Sequence, residues 1–168
     1  MALFDNTFFD KWNTRLVRGE DEPVYLPANA SVPYHRIVFA HGFFSSALHE
    51  VAHWCIAGEA RRLQEDYGYW YCPDGRNEQQ QAQFEQVEVK PQAIEWAFTR
   101  ASGRRFQVST DNLNGAEPDR EGFTRNVEAQ LYHYVKNGFP ERAALFIRAL
   151  QDMFGTRPMS LLTEEAAA

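Results

Sequence analysis

Cysteine is scarce: Cys55 and Cys72 are the two in 168 residues. That is too few for the disulfide framework of a small secreted domain, and a chain this long can bury a core without one. The two could pair with each other, but they are read here as reduced thiols of a cytoplasmic protein. Long apolar runs are missing as well, which excludes a membrane-spanning helix. The first residues, Met1-Ala2-Leu3-Phe4-Asp5-Asn6, show no basic region and no apolar stretch, so no signal peptide is expected. Basic residues do not predominate: 17 Lys and Arg face 23 Asp and Glu, a net charge of -6. A nucleic-acid partner held mainly by charge is therefore excluded. There is no glycine-rich phosphate loop, no Walker pattern and no cysteine pair spaced for structural zinc.

What is present suits a packed globule. The chain is 44% hydrophobic and 14% aromatic, which fits one domain of ordinary size. The negative charge keeps it soluble and tolerates a cationic substrate. Phe4, Phe8, Trp12 and Leu16 recur every four residues, so a helix is expected over 3–17. Val24-Tyr25-Leu26 and Arg36-Ile37-Val38-Phe39-Ala40 read as strands. A helix should follow Gly42, capped by Ser45 or Ser46, and end by Gly58 after Ile56. The aromatic stretch from Tyr67 to Cys72 reads as strand-like, and Pro73-Asp74-Gly75 as a turn.

Residues 77–102 read as helical. Phe84, Val87, Pro91, Ile94 and Phe98 form one buried stripe there, and Pro91 either kinks the helix or starts a new one. Arg105 to Val108 is a strand candidate. A helix over 119–136 stops at Asn137-Gly138, and Pro140 opens a last one that ends near Gly155. The expected architecture is α+β: a single domain with helices packed on a small sheet. Residues 1–155 would form one catalytic metal-binding domain, and 156–168 a flexible tail.

The sharpest signal is His49-Glu50-Val51-Ala52-His53. Histidines four apart on a helix leave the same face, so both imidazoles can bind one ion. Glu50 projects beside them and can reach a metal-bound water or a bound molecule. These residues predict a metal site rather than a helix that happens to carry two histidines. A catalytic site needs a third protein ligand and an open position. His35 and His133 sit in unremarkable settings, while His41 could line the pocket. Glu85, Glu88, Gln92 and Glu95 fall three, four and three apart, as a polar stripe read as mostly solvated. Glu88 borders the buried side next to Val87 and Pro91, which makes it the first choice for third ligand, with Glu85 the alternative. Together the two segments suggest a zincin-like pair of metal-binding helices.

Tyr69-Trp70-Tyr71 either packs the core or walls a slot for a long side chain, with Tyr69 and Tyr71 able to orient a substrate. Glu50, Asp74, Glu85 and Glu95 could supply negative potential to such a slot. Arg61-Arg62 and Arg104-Arg105 read as solvated charges.

Two histidines and one carboxylate serve zinc hydrolases and non-haem iron oxygenases alike. The motif by itself favours a zinc metallopeptidase with Glu50 as general base. No histidine is followed two residues later by Asp or Glu, so an oxygenase here would not be of the jelly-roll kind. A binding module with a vestigial metal site is a third reading.

Six segments in order carry a resemblance. They are Glu22-Pro23-Val24-Tyr25-Leu26-Pro27-Ala28, Val32-Pro33-Tyr34, Arg36-Ile37-Val38-Phe39-Ala40-His41-Gly42-Phe43, His49-Glu50-Val51-Ala52-His53-Trp54-Cys55, Tyr67-Gly68-Tyr69-Trp70-Tyr71-Cys72-Pro73-Asp74-Gly75-Arg76 and Val87-Glu88-Val89-Lys90-Pro91-Gln92-Ala93. The chain resembles the bacterial elongation factor P hydroxylases from about residue 13 to about residue 155. The resemblance implies hydroxylation of the lysine of elongation factor P that already bears a lysine-derived group. It also implies a metal centre at His49, His53 and Glu88, with Fe(II) as the metal and molecular oxygen as co-substrate. Glu50 would then orient a bound molecule or hold a substrate amine.

Overall fold

The computed structural model describes residues 1–68 and 74–157. Helix α1 (Ala2–Trp12) ends at Asn13, whose left-handed backbone lets its N–H cap Phe9 O. The expected helix over 3–17 is therefore two elements, because Thr14–Arg18 forms strand β1. The misreading has a simple cause. A spacing of four satisfies the strand period of two as well as the helical period, and Leu16 stays in the core either way.

Strand β3 (His35–Phe39) lies between β1 and β2 (Val24–Leu26), parallel to the first and antiparallel to the second. Leu16 pairs with Ile37, and Tyr25 pairs with Ile37 from the other side. Tyr25 also exchanges backbone hydrogen bonds with Asp66, at 2.7 and 3.0 Å, which anchors the chain that follows α2.

Helix α2 (Phe44–Ile56) buries Leu48, Val51, Ala52 and Cys55. Its N-cap is Phe43 and makes no side-chain bond, so neither Ser45 nor Ser46 caps it. Its C-terminus is closed at Ala57, not by Gly58. Arg142 Nη2 donates to the carbonyls of Trp54, Cys55 and Ala57, at 2.8, 3.0 and 2.6 Å. A cation at this end also suits the helix dipole.

Helix α3 (Glu78–Ala101) starts with a capping box between Asn77 and Gln80. It runs through Pro91 as one helix of 24 residues. Its buried line differs from expectation: Val87 is exposed, whereas Glu88, Gln92 and Glu95 are buried. The polar stripe read as solvated thus faces inward over much of its length. Helices α4 (Arg120–Asn137) and α5 (Glu141–Phe154) pack on α3, and α5 also meets α1 and α2. An aromatic cluster joins these layers, with Phe8 centred 4.9 Å from Trp54 and Phe98 centred 5.1 Å from Phe146.

Arg105–Val108 is not a strand. Its β-like neighbour is a side chain: Ser109 N donates to Gln92 Oε1 at 3.0 Å, and Gln92 Nε2 donates to Ser109 O at 2.8 Å. One amide thus takes the place of a neighbouring strand, while Phe106 stacks on Trp96. At the end of the chain, Thr156 is held rather than loose, since its hydroxyl donates to Ala101 O at 2.7 Å. Residues 158–168 of the expected tail lie outside the described residues, as do Tyr69, Tyr71 and Cys72. Among the described residues no helix is long and apolar enough to cross a membrane.

Candidate metal centre

Helices α2 and α3 pack face to face. The face of α2 opposite Val51, Ala52 and Cys55 carries His49, Glu50 and His53, all half-buried. Glu88 reaches them from α3. Its Oε1 lies 3.1 Å from His53 Nε2, and its Oε2 lies 3.6 Å from His49 Nε2. The two histidine Nε2 atoms are 3.1 Å apart. One ligand atom from each residue therefore falls within 4.8 Å of the other two.

Two neutral nitrogens and one carboxylate oxygen are a donor set that suits a first-row divalent ion. Three protein ligands rather than four would leave a position open, as catalysis at a metal requires. Such close approach of three polar groups in a buried place needs either a metal or shared protons.

Electrostatics agree with that need. Burial would raise the pKa of Glu88, but the charges of His53 and His49 and the hydrogen bond with His53 hold it at about 2. Burial would lower that of His49, yet the hydrogen bond to Glu95 and the charges of Glu88, Glu95 and Glu50 lift it to about 10. Glu50 is pushed upward by burial, against the pull of both histidines. Without a metal, this cluster keeps a positive charge beside the carboxylates.

The three residues open onto a cleft of about 250 Å³, also lined by Pro23, Glu50, Tyr67, Gly68, Arg76, Phe84 and Asp111. Glu50 and His53 also line a small adjoining cavity with Tyr25, Arg61, Arg62 and Asp66. Of the two arginines read from the sequence as solvated, Arg61 is exposed and Arg62 is half-buried, and both border this cavity. Arg61 is held by an ion pair with Asp66.

The other candidates are placed as follows. Glu85 lies one turn from Glu88, accepts from Gln81 Nε2 at 3.0 Å, and is not in the three-residue cluster. Asp74 accepts from Gly75 N and from both the backbone and the side-chain N–H of Asn114, which ties its turn to the loop at 112–116. His41 is exposed, with a positive φ of 55°, and lines a separate depression with Arg18, Gly19, Glu20 and Asp21. Tyr69 and Tyr71 lie outside the described residues.

Three residues that the sequence did not single out as supports stand around the centre. Glu95 Oε2 lies 2.9 Å from His49 Nδ1. Gln92 Nε2 lies 3.4 Å from Glu88 Oε2 while bonded to Ser109. Arg76, fully buried, donates to Gln81 and to the carbonyls of Thr110 and Asp111, and stacks on Phe84. A signal for Glu95 existed: it follows Glu88 by seven residues, two helical turns along the same face.

Residues 3–164 match the family described as Elongation factor P hydroxylase. The chain is 53% identical over 156 residues to a protein of Haemophilus influenzae named Elongation factor P lysine hydroxylase, which covers 93% of this chain and 88% of that protein.

Proposed function

We propose, from the premise that this chain belongs to the elongation factor P hydroxylase family, that it adds one oxygen atom to the modified lysine of elongation factor P. Family membership makes it an enzyme, a protein-lysine hydroxylase. In the proposed reading it works in the cytoplasm on elongation factor P whose lysine already bears a lysine-derived group.

Its metal is iron, held by His49, His53 and Glu88. A bound iron ion supplies the redox chemistry with oxygen that an unactivated C–H bond demands and that acid–base side chains lack. The chain's own residues do the rest. His49 and His53 offer nitrogens from one rigid helix, and Glu88 supplies a charge from the next, as in a zincin-like helix pair. Glu50 lines the cleft beside the histidines and is suited to hold a substrate amine by a charge-assisted hydrogen bond. Phe84 and Tyr67 give the cleft apolar surface for the methylenes of a long arm.

The observation that carries this reading is the convergence of His49, His53 and Glu88 at one cleft in a chain of this family. The zinc metallopeptidase reading rests on the His-Glu-x-x-His spacing alone, and neither comparison supports it.

The test is to strip the protein of metal and reload it with Fe(II) or Zn(II). Each form is then incubated with modified elongation factor P, oxygen and a two-electron reductant such as ascorbate, which carries the second oxygen atom to water, and the factor is weighed by mass spectrometry. One added oxygen with iron and none with zinc is expected. Equal product with both ions would remove iron from the account, and cleavage of a peptide by the zinc form would restore the peptidase.

A further inference from the structure

We propose that Glu95 is a positioning residue for His49: its carboxylate accepts a hydrogen bond from Nδ1–H, so that Nε2 is the nitrogen turned to His53 and Glu88. The inference rests on the metal-centre reading above. An imidazole has two nitrogens that diverge, and a neutral ring protonates one of them. Which one is left to bind an ion is decided by the hydrogen bond the other makes.

Here the division is plain in the distances. His49 Nδ1 is 2.9 Å from Glu95 Oε2, whereas His49 Nε2 is 3.1 Å from His53 Nε2 and 3.6 Å from Glu88 Oε2. Glu95 thus sits behind the ring and Glu88 in front of it. Seven residues on one helix separate them by roughly 10 Å of axial rise, so a single helix supplies both the proposed ligand and the group that orients another ligand. Glu95 is buried, with a side chain 11% exposed. A buried carboxylate needs a partner, and His49 is the one found for it among the described residues. A carboxylate behind the ring also makes the facing nitrogen a stronger donor to a metal.

Two variants separate positioning from plain packing. Glu95→Gln keeps the shape and a carbonyl oxygen that can still accept a hydrogen bond from Nδ1–H, whereas Glu95→Ala removes both. Binding of Zn(II) is measured by competition with a coloured chelator. The ring-nitrogen NMR shifts of His49 are read in the zinc-loaded wild type and in each variant. The wild type should show a protonated Nδ1 and a metal-bound Nε2. Glu95→Ala should bind zinc about 10- to 100-fold more weakly, and Glu95→Gln should lie between it and the wild type with the same protonated Nδ1.

A wild type in which Nδ1 carries no proton would overturn the proposal whether or not a variant folds. So would a folded Glu95→Ala that binds zinc as the wild type does. His49→Ala, run beside them, tells the two failures apart. If it also binds zinc normally, the metal centre itself is wrong; if it loses zinc while Glu95→Ala keeps it, only the role of Glu95 fails.

Discussion

Arg142 shows how a residue far from the cleft supports it. It lies in the first turn of α5, and its Nη2 donates to the carbonyls of Trp54, Cys55 and Ala57, at 2.8, 3.0 and 2.6 Å. Its guanidinium also stacks over the Trp54 ring, 4.7 Å from the centroid. One nitrogen has two protons to share among three carbonyls, so two bonds' worth is the fair count. Bonds from a charged donor contribute about 1.5–3 kcal/mol each when buried, and a partly exposed stack adds about 0.5–1 kcal/mol. Because Arg142 is half-buried and water can replace it at the carbonyls, Arg142→Ala should cost about 2–4 kcal/mol in all.

Urea denaturation followed by tryptophan fluorescence measures that loss as a lower midpoint with an unchanged slope. Arg142→Met, which keeps the aliphatic stem, should recover only the packing share. The effect should reach the metal centre too. The Ala57 N–H donates to His53 O and closes the turn that carries His53, so fraying there should weaken zinc binding, though far less than His53→Ala. A loss of stability below about 0.5 kcal/mol, the level of an ordinary surface change, would refute the reasoning.

Three other outcomes are expected. Glu88→Gln should weaken zinc binding by more than about 100-fold, beyond what loss of an outer partner gives, while Glu85→Gln leaves it unchanged; chelator competition checks both, and the reverse order would move the third ligand to Glu85. Gly115→Ala should destabilise the fold by about 1–3 kcal/mol, because a Cβ there would stand 2.3 Å from the Arg76 carbonyl oxygen and 2.3 Å from Asn112 Oδ1; thermal melting reads this, and an unchanged midpoint would contradict it. Tyr25, whose hydroxyl donates to Arg62 O, has its pKa pushed up by burial to about 12 against the opposing charge of Arg62. Its folded value lies above the unfolded one of about 10, so its contribution is intact below pH ~10 and fades as pH rises toward ~12; Tyr25→Phe should show a shallower loss of stability across that window.

Much of the centre was legible because helical spacing is local. His49 and His53 announce a shared face four residues apart, and Glu88 was preferred over Glu85 for lying at the border of the apolar stripe. The stripe itself was misread by one position, with Val87 taken as buried and Glu88 as its neighbour. Hydropathy favours valine in a core, and a buried carboxylate is stable only through partners on another element. Those partners, His49 and His53, lie on α2, and no spacing within α3 reveals them. The same reason hid Gln92, whose burial depends on Ser109, whereas Glu95 carried a signal in its seven-residue spacing from Glu88 but its partner His49 lay on α2. The strand expected at Arg105–Val108 failed on similar grounds, since a glutamine side chain 17 residues away satisfies the backbone at Ser109.

The central claim is that this chain transfers an oxygen atom from dioxygen to elongation factor P through the centre at His49, His53 and Glu88. The most direct measurement supplies isotopically labelled oxygen gas in ordinary water, and then ordinary oxygen in labelled water, to the iron-loaded protein with modified elongation factor P and a two-electron reductant that takes the second oxygen atom to water. Mass spectrometry of the modified lysine follows the label. The account predicts that the added oxygen carries the label from the gas and not from water, and that His49→Ala, His53→Ala and Glu88→Gln abolish its incorporation. Label arriving from water, or undiminished incorporation by a folded His53→Ala, would contradict it.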